Sequence, residues 1–466
     1  MYKKSFISIL VLSIIFLSCK EESSSNAEEE EVVELLCLGG DPTYVSFQSQ
    51  IDEATDGDTI MVAPGTYKGV IDFKGKNVVV GSMFLNGQDS SYIGETIIDG
   101  NGSGPVVTFA NDEGSGAGLS GFTITGGSAE KGGGIYVKNA SPNLENLFIT
   151  RNKTVNCEVG DYFGNGQGGG IFLESSESKL YNVLVDSNIS AIEGGGIFAK
   201  NSTVEFRNVT VRFNTGVNYG GGIYFASTKG DFYQTAITFN TSERGGGAFL
   251  SAFTSLDYEN VVVGENDASI EGGGLYMQSS DIKGVNITMV GNDAAEFGGG
   301  GYLNGGNIDL LNSIVYGNSD QIYFDSPGGS SVTAKYTTFE GGQGGVENKN
   351  AEDVIWKEGN AEFDPITQGD FCIENPGWNK ATFFKSEAID AGDPSSKYND
   401  PEWRFCVEGK VSAFVDSSLG IWSTVDSNYV RNDMGAFGGP GGNWTPVNTN
   451  AVGLGLSEDA INFIFE

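Results

Sequence analysis

Seven aromatic residues recur at one position of a repeated phrase, and they are the most regular candidates for ligand contact in this chain. Each follows three glycines and one further residue, as in GGGIYVK, GGGIYFA and GGGLYMQ. Rings at a regular spacing can form a platform on which sugar rings or a partner surface pack. The seven are Tyr136, Phe172, Phe198, Tyr224, Phe249, Tyr276 and Tyr302.

A second column, directly before each glycine run, carries ionisable groups. It reads Lys131, Gln167, Glu193, Tyr219, Arg244, Glu271 and Phe297. Arg244 flanked by Tyr219 and Glu271 could hold an acidic sugar while Tyr219 accepts a proton, which would be lyase chemistry. The alternative is an ordinary Arg244–Glu271 surface ion pair, worth under about 1 kcal/mol.

The composition excludes several function classes. The formal charge is 26 − 61 = −35, and such a field repels nucleic acid backbones. The 466 residues include no histidine, which removes every Ser/His or Cys/His nucleophile arrangement. No cofactor is indicated, although Asp390, Asp393 and Asp433 could contribute to a calcium site in the C-terminal region.

The N-terminal segment has the pattern of a secretion signal. Lys3 and Lys4 precede an apolar run from residue 6 to 17, which is too short to span a bilayer. The following FLSC resembles the lipobox of bacterial lipoproteins, in which Cys19 becomes the lipidated N-terminus. KEE after Cys19 resembles a surface-export signal of some Bacteroidetes. The resemblance implies a signal peptide at 1–18, an acidic tether at 19–36 and a lipid anchor in the outer membrane, with display on the surface of a Gram-negative cell.

Four cysteines remain if Cys19 is lipidated, and an even number outside the cytoplasm permits two disulfides. Cys372 and Cys406 are the expected pair because both lie in the C-terminal region. The pairing of Cys37 and Cys157 stays open.

Three columns of residues repeat in register. GGG begins at 132, 168, 194, 220, 245, 272 and 298, in steps of 36, 26, 26, 25, 27 and 26. Two further columns, at Asn146, Asn182, Asn208, Gln234, Asn260, Asn286 and Asn312 and at Asn152, Asn188, Asn214, Asn240, Asn266, Asn292 and Asn318, keep a spacing of 26 after the first step. Several columns in register predict a solenoid.

The segments inside each repeat favour strands. IYF, VLV and VTV are short, β-branched or aromatic, and follow a two-residue rhythm. One coil per repeat then winds a parallel β-helix. Glycine in the turn would provide positive φ and close approach of neighbouring coils, and asparagine would form side-chain ladders from coil to coil.

The chain resembles right-handed parallel β-helix proteins of the pectin-lyase-like fold. The resemblance rests on FQSQIDEATDGDTIMVAPGTYKGVIDFKGKNVVVGS, on the repeats, and on AIDAGDPSSKYNDPEW and RNDMGAFGGP near the C-terminus. It implies a capping helix around residues 47–54. The GGGI phrase also resembles half of the repeat of polymorphic outer-membrane adhesins, without the FxxN half in register. The Gly-His-Gly motif of hydrolases with this fold is absent, and the arginine and calcium-ligand motifs of its pectate lyases find no match.

The expected organisation is an all-β solenoid over residues 37–345, with 320–345 as a degraded last coil. A C-terminal cap or small β-rich subdomain is expected at 346–466, where it would cover the open end of the helix.

Strand alternation leaves two arrangements of the aromatic column open. Aliphatic neighbours at positions one and three would fill the core and place the rings outside as an exposed stripe. With the register reversed, the rings would stack inside. An insertion at 153–167, which carries Tyr162, would form either a binding loop or a tolerated surface loop.

The leading hypothesis is a non-catalytic protein that binds a polysaccharide or a cell-surface partner through the aromatic column and Tyr162. The alternatives are a polysaccharide lyase or glycoside hydrolase using Tyr219 and Arg244, and a spacer without a ligand.

Overall fold

The described part of the chain forms a parallel β-helix of about ten turns, which confirms the predicted fold class. In this computed structural model, residues 47–155 and 165–362 are described, together with the backbone of 405–407 and 410–412. Each repeat runs from the glycine turn through a first, a second and a third sheet, then through a short fourth sheet to the next glycine turn. The described strands of these four sheets pair in parallel with those of neighbouring coils.

The first sheet contains Ile71–Asp72, Val107–Phe109, Ile135–Lys138, Ile171–Glu174, Ile197–Lys200, Ile223–Ala226, Ala248–Ser251, Ile322–Phe324 and Val346–Glu347. The second contains Thr59–Val62, Val79–Ser82, Gly118–Ser120, Ser330–Lys335 and Val354–Trp356. The third contains Gly65–Lys68, Thr96–Asp99, Thr123–Thr125, Ile314–Tyr316 and Thr338–Phe339.

Long strands bend from one sheet into the next. Those joining the second and third sheets are Asn143–Thr150, Glu177–Asp186, Thr203–Arg212, Lys229–Thr238 and Ser255–Gly264. Gly301–Leu311 joins the first and second sheets, and Leu275–Val290 passes through all three. The short sheet contains Ser128–Ala129, Lys153–Thr154, Ile189–Ser190, Thr215–Gly216, Thr241–Arg244, Asp267–Glu271 and Asp293–Ala294. Phe405–Val407 and Lys410–Ser412 form a separate antiparallel pair.

A short helix covers the first coils, as the sequence predicts. It spans Gln48–Glu53 and buries Ile51 within the core. The ring of Phe47, just before the helix, lies 5.3 Å from that of Tyr67 and 6.3 Å from that of Phe122. Two further α-helices, Phe84–Gly87 and Ser91–Glu95, and the 3-10 helices Gly342–Gly345 and Ala351–Asp353 complete the described helices. None of the helices in the described ranges is long and apolar enough to cross a bilayer.

The glycine turn is explained by close packing of the coils. The first glycine of each run, such as Gly194, has a left-handed backbone (φ +63°). A Cβ on Gly195 would lie 2.3 Å from the carbonyl oxygen of Gly221, and one on Gly196 would lie 2.7 Å from that of Gly222. Because such distances are far below van der Waals contact, the second and third positions also require glycine.

Asparagine ladders tie the coils together along two lines. Inside the turn after the third sheet, the Nδ2 of Asn214 donates to the Oδ1 of Asn240 (3.0 Å), and that of Asn240 donates to Asn266 (3.0 Å). At the bend between the second and third sheets, Asn182 donates to Asn146 (3.0 Å) from a left-handed backbone. The predicted structural role of both asparagine columns is confirmed.

The solenoid continues beyond residue 345, where the sequence places the start of a cap. Val346–Glu347 pairs in parallel with Ile322–Tyr323, and Val354–Trp356 pairs with Val332–Ala334. The coil separations here are 346 − 322 = 24 and 354 − 332 = 22 residues, so the repeat of 26 is lost although the winding persists. Because its turns are shorter and lack GGG, this coil is not detected by the 26-residue period.

Candidate functional site

The aromatic column lies on the outside of the first sheet. Ile135 and Val137 belong to the solenoid core, so Tyr136 between them points to the opposite face of the strand. The rings stack on successive coils at centroid distances of 4.5–5.6 Å and interplanar angles of 1–18°. Tyr323 extends the column by one coil and was missed because its strand follows SDQ instead of GGG.

Neither of the two arrangements left open by the sequence holds in full, because the rings lie outside the core but most of them are buried. Phe172, Phe198, Phe249, Tyr276 and Tyr302 are 1–8% exposed, while Tyr136 and Tyr224 are half-buried. Each ring covers the faces of its neighbours, and side chains of the column before the glycines cover the ring edges. Lys131 Nζ lies 5.2 Å from the centroid of the Phe172 ring, and the centroid of the Tyr219 ring lies 4.9 Å from that of Phe249. The ring faces are therefore used for stacking within the protein.

The column before the glycines is engaged in contacts of its own. Gln167 Nε2 donates to Glu193 Oε2 (2.6 Å), and Arg244 Nε donates to Glu271 Oε2 (2.9 Å). Tyr219 and Arg244 lie on adjacent coils, as the spacing predicts. The Arg244–Glu271 ion pair matches the structural alternative for this column, because the guanidinium already has a carboxylate partner.

Burial shifts the proton affinity of groups in these two columns. It raises the pKa of the Glu193 carboxyl above its usual range, although the hydrogen bond from Gln167 acts in the opposite direction. It raises the pKa of Tyr224 to about 12, so this phenol stays protonated at neutral pH. Burial and the hydrogen bond from Tyr302 Oη to Asp325 (2.5 Å) raise the pKa of Tyr302 as well.

Several residues singled out in the sequence lie outside the described residues. They are Cys19, Cys37, Cys157, Tyr162, Cys372, Asp390, Asp393 and Asp433. For Cys406 the backbone alone is described, within the antiparallel pair. Across 47–155 and 165–362, no grouping of three or more Cys, Asp or Glu side chains is arranged to hold a metal ion.

The outer face of the second sheet is the surface that does present side chains to solvent. We define the second-sheet face as the outward residues between Glu177 and Lys335, which remain in register from coil to coil. In every coil, polar or charged residues alternate with buried core residues, as in KGDFYQ, where Lys229 and Asp231 are exposed and Phe232 is buried. Its outward residues from successive coils include Lys179, Tyr181, Glu205, Arg207, Asp231, Tyr233, Asp257, Glu259, Asp281, Lys283, Asn307 and Asp309.

One part of the second-sheet face is an ordered polar and aromatic network. Glu205 accepts from Lys179 Nζ (3.3 Å) and from Arg207 Nε (3.1 Å). The Arg207 guanidinium lies 5.3 Å from the centroid of the Tyr233 ring, and Tyr181 flanks Arg207 on the other side. The aromatic rings here alternate with a cation instead of stacking on each other, which leaves them half-buried.

The sequence contained a signal for this face. The alternation in ESKLYN, TVEFRN, KGDFYQ and SLDYEN marks one polar side per strand. The glycine phrase is more regular, and its spacing favours the first sheet as the candidate site. The regular spacing of the glycine phrase arises from packing between coils.

Comparisons with known proteins give only distant structural likenesses. No protein-family model and no curated protein matches the chain. Among solved structures, the chain is similar to a pectate lyase at 16% identity and a TM-score of 0.42, covering 84% of this chain and 90% of that chain. It is also similar to the A-module of a mannuronan C-5 epimerase from Azotobacter vinelandii, at 13% identity and a TM-score of 0.26, covering 68% and 95%. The parallel pairing of strands from coil to coil by itself defines the class of this fold, which is that of parallel β-helix proteins.

Proposed function

We propose that this protein binds a polysaccharide along the second-sheet face without a catalytic step, while held at the cell surface by a lipid on Cys19. The observation that carries the proposal is the exposed polar face itself, which is continuous and in register over successive coils. A surface that repeats every ~4.8 Å suits a ligand that is also a repeating polymer.

The side chains of this face match the chemistry of sugars. Carboxylates, amides and ammonium groups offer many donors and acceptors for ring hydroxyls. Tyr181 and Tyr233 offer apolar ring surface beside Arg207 for the C–H faces of a sugar ring.

We propose no catalytic step because the residues that could act in a lyase already have partners within the protein. Arg244 is paired with Glu271, and the ring of Tyr219 packs against Phe249. A lyase at this position would first have to separate the Arg244–Glu271 pair.

Native affinity electrophoresis tests the proposal. The mature protein is run through gels cast with plant, algal and host polysaccharides, and with no polysaccharide. We expect retarded migration in at least one gel and an intact matrix along the track. Tyr233→Ala should weaken retardation about tenfold through loss of ring contact. Val217→Ala, on an exposed residue outside the second-sheet face, is the matched control.

Two outcomes contradict the proposal in different ways. Cleared matrix along the track would establish an enzyme. Unretarded migration in every gel would favour a spacer without a carbohydrate ligand.

A further inference from the structure

Phe253 is an inserted, exposed aromatic residue at the edge of the second-sheet face. The two-residue turn Ser227–Thr228 of the preceding coil becomes three residues, Ala252 to Thr254, because Ser251 pairs with Ala226 and Ser255 pairs with Lys229. The extra residue is compensated by a turn one residue shorter before Gly245, so the asparagine ladders keep their spacing of 26. This is why the glycine steps read 25 and then 27.

The conformation of this turn is unfavourable for the residues that occupy it. Ala252 (φ +54°) and Phe253 (φ +64°) both adopt left-handed backbone, and each carries a Cβ. A bulky side chain there is an outlier, and the conformation costs roughly 1–2 kcal/mol per residue. A left-handed residue recurs at this turn in neighbouring coils, as at Ser227 and Ser279, whereas the second one, Phe253, belongs to the insertion alone.

Hydrogen bonds from both neighbouring coils hold the turn. Ser227 Oγ donates to the carbonyl oxygen of Ala252 (3.1 Å). The backbone N–H of Phe253 donates to the carbonyl oxygen of Ser279 (2.9 Å). The buried Thr254 donates through Oγ1 to the carbonyl oxygen of Ser251 (2.7 Å). Phe253 is nevertheless 84% exposed, the largest exposure among the large hydrophobic residues described. The turn therefore presents an apolar ring to solvent from a fixed backbone.

The surroundings of Phe253 are polar and acidic. On its own coil and the two flanking coils, the second-sheet face carries Asp231, Asp257, Glu259 and Asp281 against Lys229 and Lys283, a balance of 2 − 4 = −2. Asp281 Oδ1 accepts from the Nδ2 of Asn307 (2.8 Å), and Ser331 Oγ donates to the Oδ1 of Asn307 (2.6 Å). No other exposed large hydrophobic residue of the described chain lies on the second-sheet face, so Phe253 is not part of the contiguous apolar patch that protein partners use.

We propose that Phe253 is the stacking platform of a subsite for an uncharged sugar unit, and that the bound polysaccharide is neutral. The proposal rests on the proposed function and specifies its ligand class. A pyranose ring would pack its C–H face on Phe253 while its hydroxyls donate to the acidic side chains alongside. A polyuronate or sulfated glycan would meet repulsion from this face and from the chain's charge of −35.

The test compares neutral with anionic polysaccharides at two ionic strengths. Wild-type protein is run through native gels containing xyloglucan, galactomannan or hydroxyethylcellulose, and through gels containing polygalacturonate or alginate. We expect retardation in a neutral gel, unchanged between low and high salt because no ionic contact is screened. Retardation confined to the anionic gels would overturn the neutral class while leaving the proposed function intact. Absence of retardation in all gels would overturn the proposed function, and this inference with it.

Variants of Phe253 separate a binding role from a structural one. Phe253→Gly relieves the left-handed strain, so its unfolding temperature should equal or exceed that of wild type, while retention in the neutral gel falls at least about tenfold. Phe253→Tyr should retain binding. Phe239→Gly is the matched control, since Phe239 is also an exposed phenylalanine with left-handed backbone (φ +55°), but it follows the third sheet. Wild-type affinity in Phe253→Gly would overturn the assignment.

Discussion

Glu193 carries a carboxyl group that is largely removed from water although it lies on the outside of the solenoid. Gln167 donates one hydrogen bond to it, and the charge of Glu193 acts on the pKa of Tyr224 in the aromatic column. Burial penalises the ionised form, which is the main reason why its pKa is raised. Because its folded-state pKa is raised, Glu193 makes the stability of the folded protein depend on pH.

The expected pH dependence follows from linkage. Glu193 favours the folded state fully below its unfolded pKa of about 4.5, and this contribution is lost as pH rises through the raised folded pKa. Glu193→Gln should therefore unfold at a higher temperature than wild type at pH 7, and at a similar temperature near pH 4 or below. Thermal unfolding followed by circular dichroism over this pH range measures the difference. The exposed Glu243→Gln is the control, and equal destabilisation by Glu193→Gln at all pH values would contradict the argument.

The aromatic column behaves as a structural element. Its rings stack from coil to coil outside the core, so the column adds a second apolar line of contact along the first sheet. Of the two arrangements that strand alternation left open, the one with these side chains outside the core is observed. Their burial could not be predicted from sequence, because it depends on the distance between stacked rings and on how far the side chains of the column before the glycines cover the ring edges.

Loss of one ring should affect stability more than binding. Phe198→Ala removes a ring that stacks on Phe172 (5.1 Å) and on Tyr224 (5.2 Å), and a cost of about 3–5 kcal/mol is expected for a buried phenylalanine. Guanidinium unfolding measures this loss, and the folded variant should still be retarded by the polysaccharide that binds wild type. An unchanged stability with lost retardation would restore the hypothesis of a binding stripe.

At the scale of the whole molecule, the solenoid and its net charge define where binding can take place. Each coil contacts its neighbours, so the second-sheet face extends as far as the coils stay in register. The net charge of −35 disfavours the approach of polyanionic ligands. Binding of an external polymer by this face requires that the chain reach the cell exterior, which the proposed lipid anchor would provide.

The proposed anchor makes a prediction for the full chain. In a Gram-negative host, Cys19→Ala should abolish incorporation of labelled palmitate and shift the protein from the membrane to the soluble fraction, because the thiol that accepts the lipid is lost. Cys157→Ala should leave labelling unchanged. Labelling that persists in Cys19→Ala, or a wild-type protein that is never labelled, would disprove the anchor.

The amino-acid sequence alone determined the winding of this protein, because the glycine and asparagine columns are direct consequences of coil-to-coil contact. Gly196 and Asn240 each satisfy a local requirement that recurs every 26 residues, so the period is visible without coordinates. The tertiary structure decided which outward columns meet solvent. Two columns with the same alternation differ in exposure because Phe172 stacks on its neighbours across coils, whereas Tyr233 meets the Arg207 guanidinium and stays half open. Exposure arises from distances between coils, and a linear pattern does not contain them.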